Sequence, residues 1–494
     1  MSLALPNGNR LTPDFCGQPI GESAPAIVAL QAQYQAATAA LGVNSPNPGY
    51  IGTTRAAGID VNGIAMLAPN YVSPRLTQIN AGLEHVFGKS SVLELDYLRS
   101  IGTHMLLAED VNHVGDATYF NLGNADAAIA RTTAAFGCAG GSSGSAVNCA
   151  IAAGAHISNF AAHGLDSGYS FCGGRPCPTA AFPGINPSLG ANQMLFPIGR
   201  SEYNGVHISF KQGVQNPFKH VKSLNVLAAY TLSKYTATST DSDVFSIAPD
   251  FTNPLRFIGP NGLDHRQQIS FGSWLDLPFS FNLALVGHFY SPLPVTLTLP
   301  PTGEPGGIFV TDVTGDGTGD SSFASSGGRG DVLPGTNLGS FARGVNPGNL
   351  NSVIRNYNQI FASKPTPAGQ MLLNDGLFTP GQLQLLGAVA PLVPLAPSNA
   401  ANMAWLKVVD IRLNWVYRFK DRVEIQPGVS LFNALNLANF DGPTNPLNGQ
   451  LYGNPGSVNG TAGQPPNSNR IGVGSGVYTQ GSPRMMEFDL KVRF

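Results

Sequence analysis

Apolar and polar residues alternate one by one along several stretches of this chain, the period that places successive side chains on opposite faces of a β-strand. The C-terminus shows it most plainly. Met486, Phe488, Leu490, Val492 and Phe494 alternate with Glu487, Asp489, Lys491 and Arg493, so one face is apolar and the other charged. Upstream, Val409, Ile411, Leu413, Trp415, Tyr417 and Phe419 stand against Asp410, Arg412, Asn414 and Arg418, and Val423, Ile425, Val429 and Leu431 continue the pattern. Further segments read alike: Ile79–Phe87, Leu93–Tyr97, Val206–Phe210, Leu224–Leu232, Ile269–Leu277 and Phe281–Phe289. Together these predict nine strands of about 9–15 residues, longer than the 5–6 usual in soluble sheets and matching the 9–11 that cross a bilayer at a tilt.

Soluble antiparallel sheets also alternate, so the connections have to decide. They switch strictly between short and long. A two-residue turn at Gly88-Lys89 precedes about 90 residues, a short link around Asn216-Pro217 precedes some 30 through Asp241–Asn261, and a tight turn at Pro278 precedes more than 100 from Ser291 to Ala404. The turn Lys420-Asp421 then precedes a loop of about 50 residues before the last strand. Short turns on one rim and long loops on the other are the mark of a bacterial outer-membrane barrel. The predicted fold is therefore all-β, an antiparallel transmembrane barrel, partial at about 9–10 strands. Residues 1–74 form an irregular segment with a short helix over Ala26–Gly42, and 75–494 the barrel, with long extracellular loops at about 109–199, 235–263, 291–404 and 435–483. Tyr97, Tyr203, Tyr230, Trp274, Tyr290, Trp405, Trp415 and Phe494 lie near strand ends, where an interfacial girdle needs aromatics. Lumen-facing charges are expected at Asp410, Arg412, Arg418, Glu424, Glu487, Asp489, Lys491 and Arg493.

Strand direction adds a parity argument. The last strand follows a long outer loop and ends in the periplasm, so the first of nine descends, whereas an intact barrel has an even count and both termini inside. Either an early strand lies within Tyr50–Pro69, or the chain is the C-terminal portion of a larger barrel. The start Met1–Arg10 has no basic or apolar leader pattern, which favours the second.

Composition agrees with a membrane sheet. Lys and Arg number 27 against 29 Asp and Glu, a net charge of −2, and only 11% of residues are charged where soluble domains carry about 25%. With no basic cluster, nucleic acid is excluded as a partner. The 59 glycines and 38 prolines belong in turns and loops. The longest apolar-leaning runs, Ala26–Gly42 and Leu383–Pro397, fall short of the ~20 residues of a spanning helix. Cys138, Cys149, Cys172 and Cys177 lie close together, and local disulfides 138–149 and 172–177 are favoured among the three pairings, with free thiols the alternative. Cys16 is left over.

Several segments resemble a known family. Tyr203–Lys211 (YNGVHISFK), Leu227–Lys234 (LAAYTLSK), Leu263–Gln268 (LDHRQQ) and Phe432–Asn436 (FNALN) are similar to the barrel portion of TonB-dependent receptors of the Oar-like branch. Ser73-Pro74-Arg75 through Gly102-Thr103-His104, and Ser482-Pro483-Arg484 to Phe494, resemble the same branch, so the likeness spans roughly residues 70–494. The resemblance implies a 22-stranded outer-membrane barrel plugged by an N-terminal domain and driven through a TonB box. No segment here resembles a plug or that box, so coupling to the TonB system is expected only if a plug is supplied. Phe488, Leu490, Val492 and Phe494 resemble the terminal signal read by the outer-membrane assembly machinery; filling the last interfacial positions is the other reading.

Candidate chemistry is sparse. Asp312, Thr314, Asp316 and Asp320 occupy positions one, three, five and nine of a calcium-type loop with Gly317 at the sixth, although Phe323 replaces the glutamate at twelve. A weak calcium site competes there with a solvated Gly-Asp turn. Gly140-Gly141-Ser142-Ser143-Gly144 fits the Gly-x-Ser-x-Gly elbow, but the strand and helix that the elbow needs are not predicted around it. Arg329-Gly330-Asp331 matches an adhesion tripeptide, and Gly472–Gly476 lacks the spacing of a dinucleotide loop. The nine histidines form no i, i+4 pair. Thr366-Pro367 and Thr379-Pro380 predict two helix starts in the longest loop. The expected protein is a non-catalytic receptor or transporter barrel of the bacterial outer membrane, its partners membrane lipid and an unknown small substrate. The alternative is a surface adhesion or structural protein anchored by its barrel.

Overall fold

The computed structural model describes residues 3–4, 10–11, 66–173, 176–238, 246–299, 305–318, 330–346, 348–396, 404–419, 423–440, 447, 471 and 480–494. Ala26–Gly42, Cys16, Asp320, Phe323, Arg329, the turn Lys420-Asp421 and Gly472–Gly476 lie outside these residues.

Nine long strands form one sheet: β1 (Arg75–Phe87), β2 (Ser91–Asp110), β3 (Gln193–Phe218), β4 (Val221–Ala237), β5 (Gln267–Asp276), β6 (Phe281–Tyr290), β7 (Leu406–Trp415), β8 (Val423–Phe432) and β9 (Met485–Arg493). Tyr417–Phe419 continues β7 beyond Val416. Each strand pairs antiparallel with its neighbours in sequence, and among the described residues β1 and β9 do not pair, so the sheet is not closed. Among the described residues, no helix is long and apolar enough to cross a membrane.

Register turns the alternation into two faces. Leu224, Leu275, Leu283, Leu413, Val429 and Phe488 line up across six strands. A second row higher up runs Leu83, Leu95, Ile208, Tyr230, Ile269 and Phe289. Outward exposure on this face reaches 75% at Leu83 and 76% at Phe488, an apolar surface that only lipid satisfies. The opposite face carries Ser223, Asp276, Asn282, Asn414 and Asp489 in register.

The strands bury little; the packed cores lie in the long loops. Loop 111–192 folds into α1 (Leu122–Ala135), α2 (Gly144–Ala152), α3 (Ile157–Ala162) and α4 (Gly168–Cys172). Loop 291–405 adds α5 (Leu350–Ile360), α6 (Pro367–Asn374) and α7 (Pro380–Leu385). Phe160 and Phe182 of the first loop pack on Phe378 and Phe309 of the second, at ring distances of 5.6 and 5.8 Å. Helix starts follow from capping: Thr366 accepts from the Gly369 N–H, and Thr379 and Gln382 form a capping box. Gln382 also donates to Asn148 Oδ1 at 2.8 Å, tying α7 to α2.

Several expectations change. β2 and β3 run 20 and 26 residues, because beyond the apolar band both of their faces meet loop structure and the alternation that marks a half-lipid strand lapses. The turn expected at Asn216-Pro217 lies at Lys219-His220, after a register shift between Gln215 and Phe218. Trp274 pairs with Asn225 and Ala284 on the polar face, and its indole N–H donates to Asp276 Oδ1 at 2.8 Å; Tyr203 and Tyr290 fall on the same face by register, so none of the three is a girdle residue. A helix does follow the Gly-x-Ser-x-Gly segment, capped by Ser143, though the residues before it belong to a turn. Within Tyr50–Pro69, the described part holds a two-residue strand, Met66–Leu67, parallel to β3.

Candidate functional site: a polar sheet face beneath a folded cap

The charges that the alternation assigns to one face do share it. Arg412 faces Ser430, which faces Glu487; Asn414 and Gly428 lead to Asp489; Arg418 faces Glu424, which faces Arg493. Asp410 and Lys491 follow at the same parity. Most are paired laterally. Arg412 reaches Asp489 at 2.8 Å, and Glu424 holds Arg418 at 2.9 Å and Arg493 at 3.5 Å. Further along, Glu94 accepts from Ser209 at 2.5 Å and pairs with Lys211 at 2.9 Å. His207 meets Thr231 at 2.9 Å, and His288 meets Ser270 and Tyr290, each at 3.1 Å. In a membrane barrel such a face lines the lumen.

Above it sits the cap. Asp264, fully buried, accepts from the Tyr235 N–H at 2.8 Å and from Arg343 Nε at 2.7 Å. The Arg343 guanidinium also reaches the Asp264 and Pro292 carbonyls. One aspartate of the LDHRQQ segment thus joins a strand end to the longest loop. Close backbone approach makes a second joint. A Cβ on Gly259 would meet Leu338 O at 2.1 Å, and Gly339, at φ +57°, has the Pro260 carbonyl 2.2 Å from its own would-be Cβ. Disulfides Cys138–Cys149 and Cys172–Cys177, with Cα separations of 5.9 and 5.8 Å, fasten the first loop internally.

Between the two loops lies an acidic knot. Asp312 and Asp316 of the calcium-type segment are buried and joined by buried Asp331, with carboxylate oxygens within 4.8 Å of one another. Asp312 accepts from the Gly315 and Gly317 N–H groups at 2.6 and 3.0 Å, Asp316 from the Phe251 N–H, and Asp331 from the Thr314 N–H at 2.8 Å. Burial and neighbouring negative charge push Asp312 well above the carboxylate range, burial raises Asp316, and burial with the Asp316 charge pushes Asp331 to about 8. Thr314 lies amid all three. Asp331 was read in the sequence only as the end of an adhesion tripeptide. The residues after it, Val332 and Leu333, are buried, a run that signals packing rather than display.

Phe488, Leu490 and Phe494 are exposed on the apolar face and edge of the last strand, with Phe494 99% exposed.

An antiparallel sheet with a lipid-matched face, short turns on one rim and folded loops on the other defines an outer-membrane β-barrel protein. The chain matches the model of the outer membrane beta barrel domain over residues 16–471 and belongs to that family. Its place is the bacterial outer membrane. No curated protein matches it. Among solved structures it is similar to the outer membrane transporter YddB from Escherichia coli, at 8% identity over 88% of this chain and 35% of that one, TM-score 0.37. The FrpB iron transporter from Neisseria meningitidis (F3-3 variant) is similar at 9% identity over 77% and 30%, TM-score 0.30. The chain spans about a third of the length of these transporters.

Proposed function

We propose that this chain is the barrel of an outer-membrane receptor that admits a small substrate under its cap and passes it along the polar face. The TonB-dependent, Oar-like type is the form proposed, with the TonB system acting where a plug is supplied, and with membrane lipid and the assembly machinery as the other partners. The observation that carries this reading is the joint between Asp264 and Arg343, which ties the folded loop 291–405 to the outer end of β4 at Tyr235. A display protein would not need its cap bolted to its pore lining. Burial of Asp331 also weighs against an exposed Arg-Gly-Asp adhesion tripeptide. No residue is assigned a catalytic role.

The reading is tested by swelling of proteoliposomes carrying the full chain, with arabinose, maltose and raffinose as graded solutes. Solute entry that falls with size and rises in Arg343→Ala supports a gated path. Liposomes that swell no more than protein-free ones, in both forms, would leave the anchor reading standing.

A further inference from the structure

The knot of Asp312, Asp316 and Asp331 makes no ion pair among the described residues, and only the His113 imidazole, itself paired with Asp116, comes within electrostatic reach of Asp316. Asp250, whose charge acts on Asp316 and Asp331, is itself taken up by Arg256 at 2.9 Å. Three carboxyl groups packed within 4.8 Å and shut away from water are unfavourable unless protons or a cation balance them.

The hydroxyls around them do not supply enough protons. Thr314 Oγ1 lies 3.2 Å from Asp312 Oδ1, 2.9 Å from Asp316 Oδ1 and 2.7 Å from Asp331 Oδ2. A hydroxyl has one proton to give, so the other two contacts are hydrogen bonds only where the carboxyl itself is protonated, and otherwise set oxygen against oxygen. Thr318 Oγ1 repeats the arrangement, 2.5 Å from Asp316 Oδ1, 3.4 Å from Asp331 Oδ1 and 3.3 Å from the Pro249 carbonyl. Oxygens at these separations are spaced like the ligand shell of a hard cation.

A separate observation comes from another element. Tyr357, on α5, is fully buried, and its hydroxyl finds no hydrogen-bond partner in the described structure. Val313, inside the acidic segment, packs against the same apolar cluster as Tyr357, and Asp331 is the charge that acts on the phenol. A buried hydroxyl left without a partner, within electrostatic reach of Asp331, is an orphan that a polar occupant of this region would resolve.

We propose that Asp312, Asp316 and Asp331, with the Thr314 hydroxyl, bind one calcium ion that locks the two extracellular loops together. All the donors are oxygen, and they come from an irregular loop rather than a rigid octahedral frame, which suits calcium better than magnesium. Asp316 holds the Phe251 backbone, and Gly317 lies against Gly115 of the first loop. The ion therefore sits where segments 111–118, 246–251, 311–318 and 330–331 converge. Neutralising the knot stabilises all of them at once.

The test uses the full chain in detergent micelles, stripped with EGTA and titrated with calcium chloride in a calorimeter. Limited proteolysis of the cap is followed in parallel. Saturable binding of one calcium per chain is expected, with Kd about 10⁻⁴–10⁻³ M as in extracellular modules, together with slower cleavage within the cap. Asp331→Asn should weaken binding by about tenfold or more, as should Asp312→Asn, whereas the exposed Asp375→Asn should leave it unchanged. In EGTA, Asp331→Asn should resist protease about as well as the wild type, because the amide, like the protonated carboxyl that burial favours there, carries no charge. No saturable calcium binding by the wild type, or unchanged binding in folded Asp331→Asn, overturns the proposal. The wild-type titration stands even if a variant does not fold.

Discussion

Arg343 brings its guanidinium into the joint between loop and sheet with only 7% of its side chain exposed, against an Asp264 side chain at 0%. Removing Arg343 leaves the buried Asp264 with only the more distant Arg266 at 3.7 Å and the Tyr235 N–H, at a cost of up to about 3–5 kcal/mol. Arg343→Ala is accordingly expected to make the 291–405 loop protease-sensitive while the sheet's circular dichroism is retained; equal resistance in both forms would deny the joint its role. His113 gives a gentler, pH-dependent contribution. It pairs with Asp116 at 3.4 Å, and that contact raises the imidazole against the opposing effect of burial, with Asp110 and Asp316 adding to the rise and Glu109 also in reach. A histidine raised on folding contributes fully below its ordinary value near 6.5 and loses that contribution as pH climbs through the raised one. Cap stability should fall as pH passes from about 6 to 8, through the raised imidazole and through Asp331, which burial pushes to about 8, and His113→Gln should lessen the fall without abolishing it in urea titrations at fixed salt. The Arg343 contact could not be read from the sequence. Arg343 is 79 residues from Asp264, and only the folded loop brings them together. Asp331 was hidden in the same way, since nothing near it in sequence shows that Thr314 lies across from it.

Strands were legible because the bilayer imposes a period of two on each of them. The lower parts of β5 to β9 hardly depart from it, and their register matches the alternation residue for residue. The outer halves of β2 and β3 were missed where lipid no longer enforces the pattern. The helices that start at Thr366 and Thr379 were visible through their caps, but α1 to α4 pack through alanines and single aromatics drawn from distant segments, a pattern without a strong local period. Ile411 tests the lipid assignment. It stands on the apolar face opposite Leu285 and Leu431, and Ile411→Arg should cost about 2–4 kcal/mol near the bilayer midplane, whereas Ser430→Arg on the polar face should fold and insert. Recovery in outer-membrane fractions reads the difference. Equal recovery of both would mean that the faces have been assigned the wrong way round.

At the scale of the whole molecule, the sheet's two edges set the strongest constraint. β1 is exposed along its full length, and β9 is exposed at nearly every position. Each edge presents unpaired N–H and C=O groups, and in hydrocarbon each such group costs several kcal/mol, so an open sheet cannot persist in a membrane. β1 ends at Phe87, beside a short turn. β9 begins after a long loop and ends on the same rim as β1, so both strands run in the same direction. A direct seam between them would be parallel, unlike every other pairing of the nine long strands. Antiparallel completion instead requires at least one strand of opposite direction between them, whichever segment or chain supplies it. Closure predicts that protein extracted in mild detergent migrates as a compact form on an unheated gel and shifts to slower migration on boiling. Identical migration before and after heating would mean that the edges stay open, and that the lipid-facing reading of Leu83, Ile208 and Phe488 is mistaken.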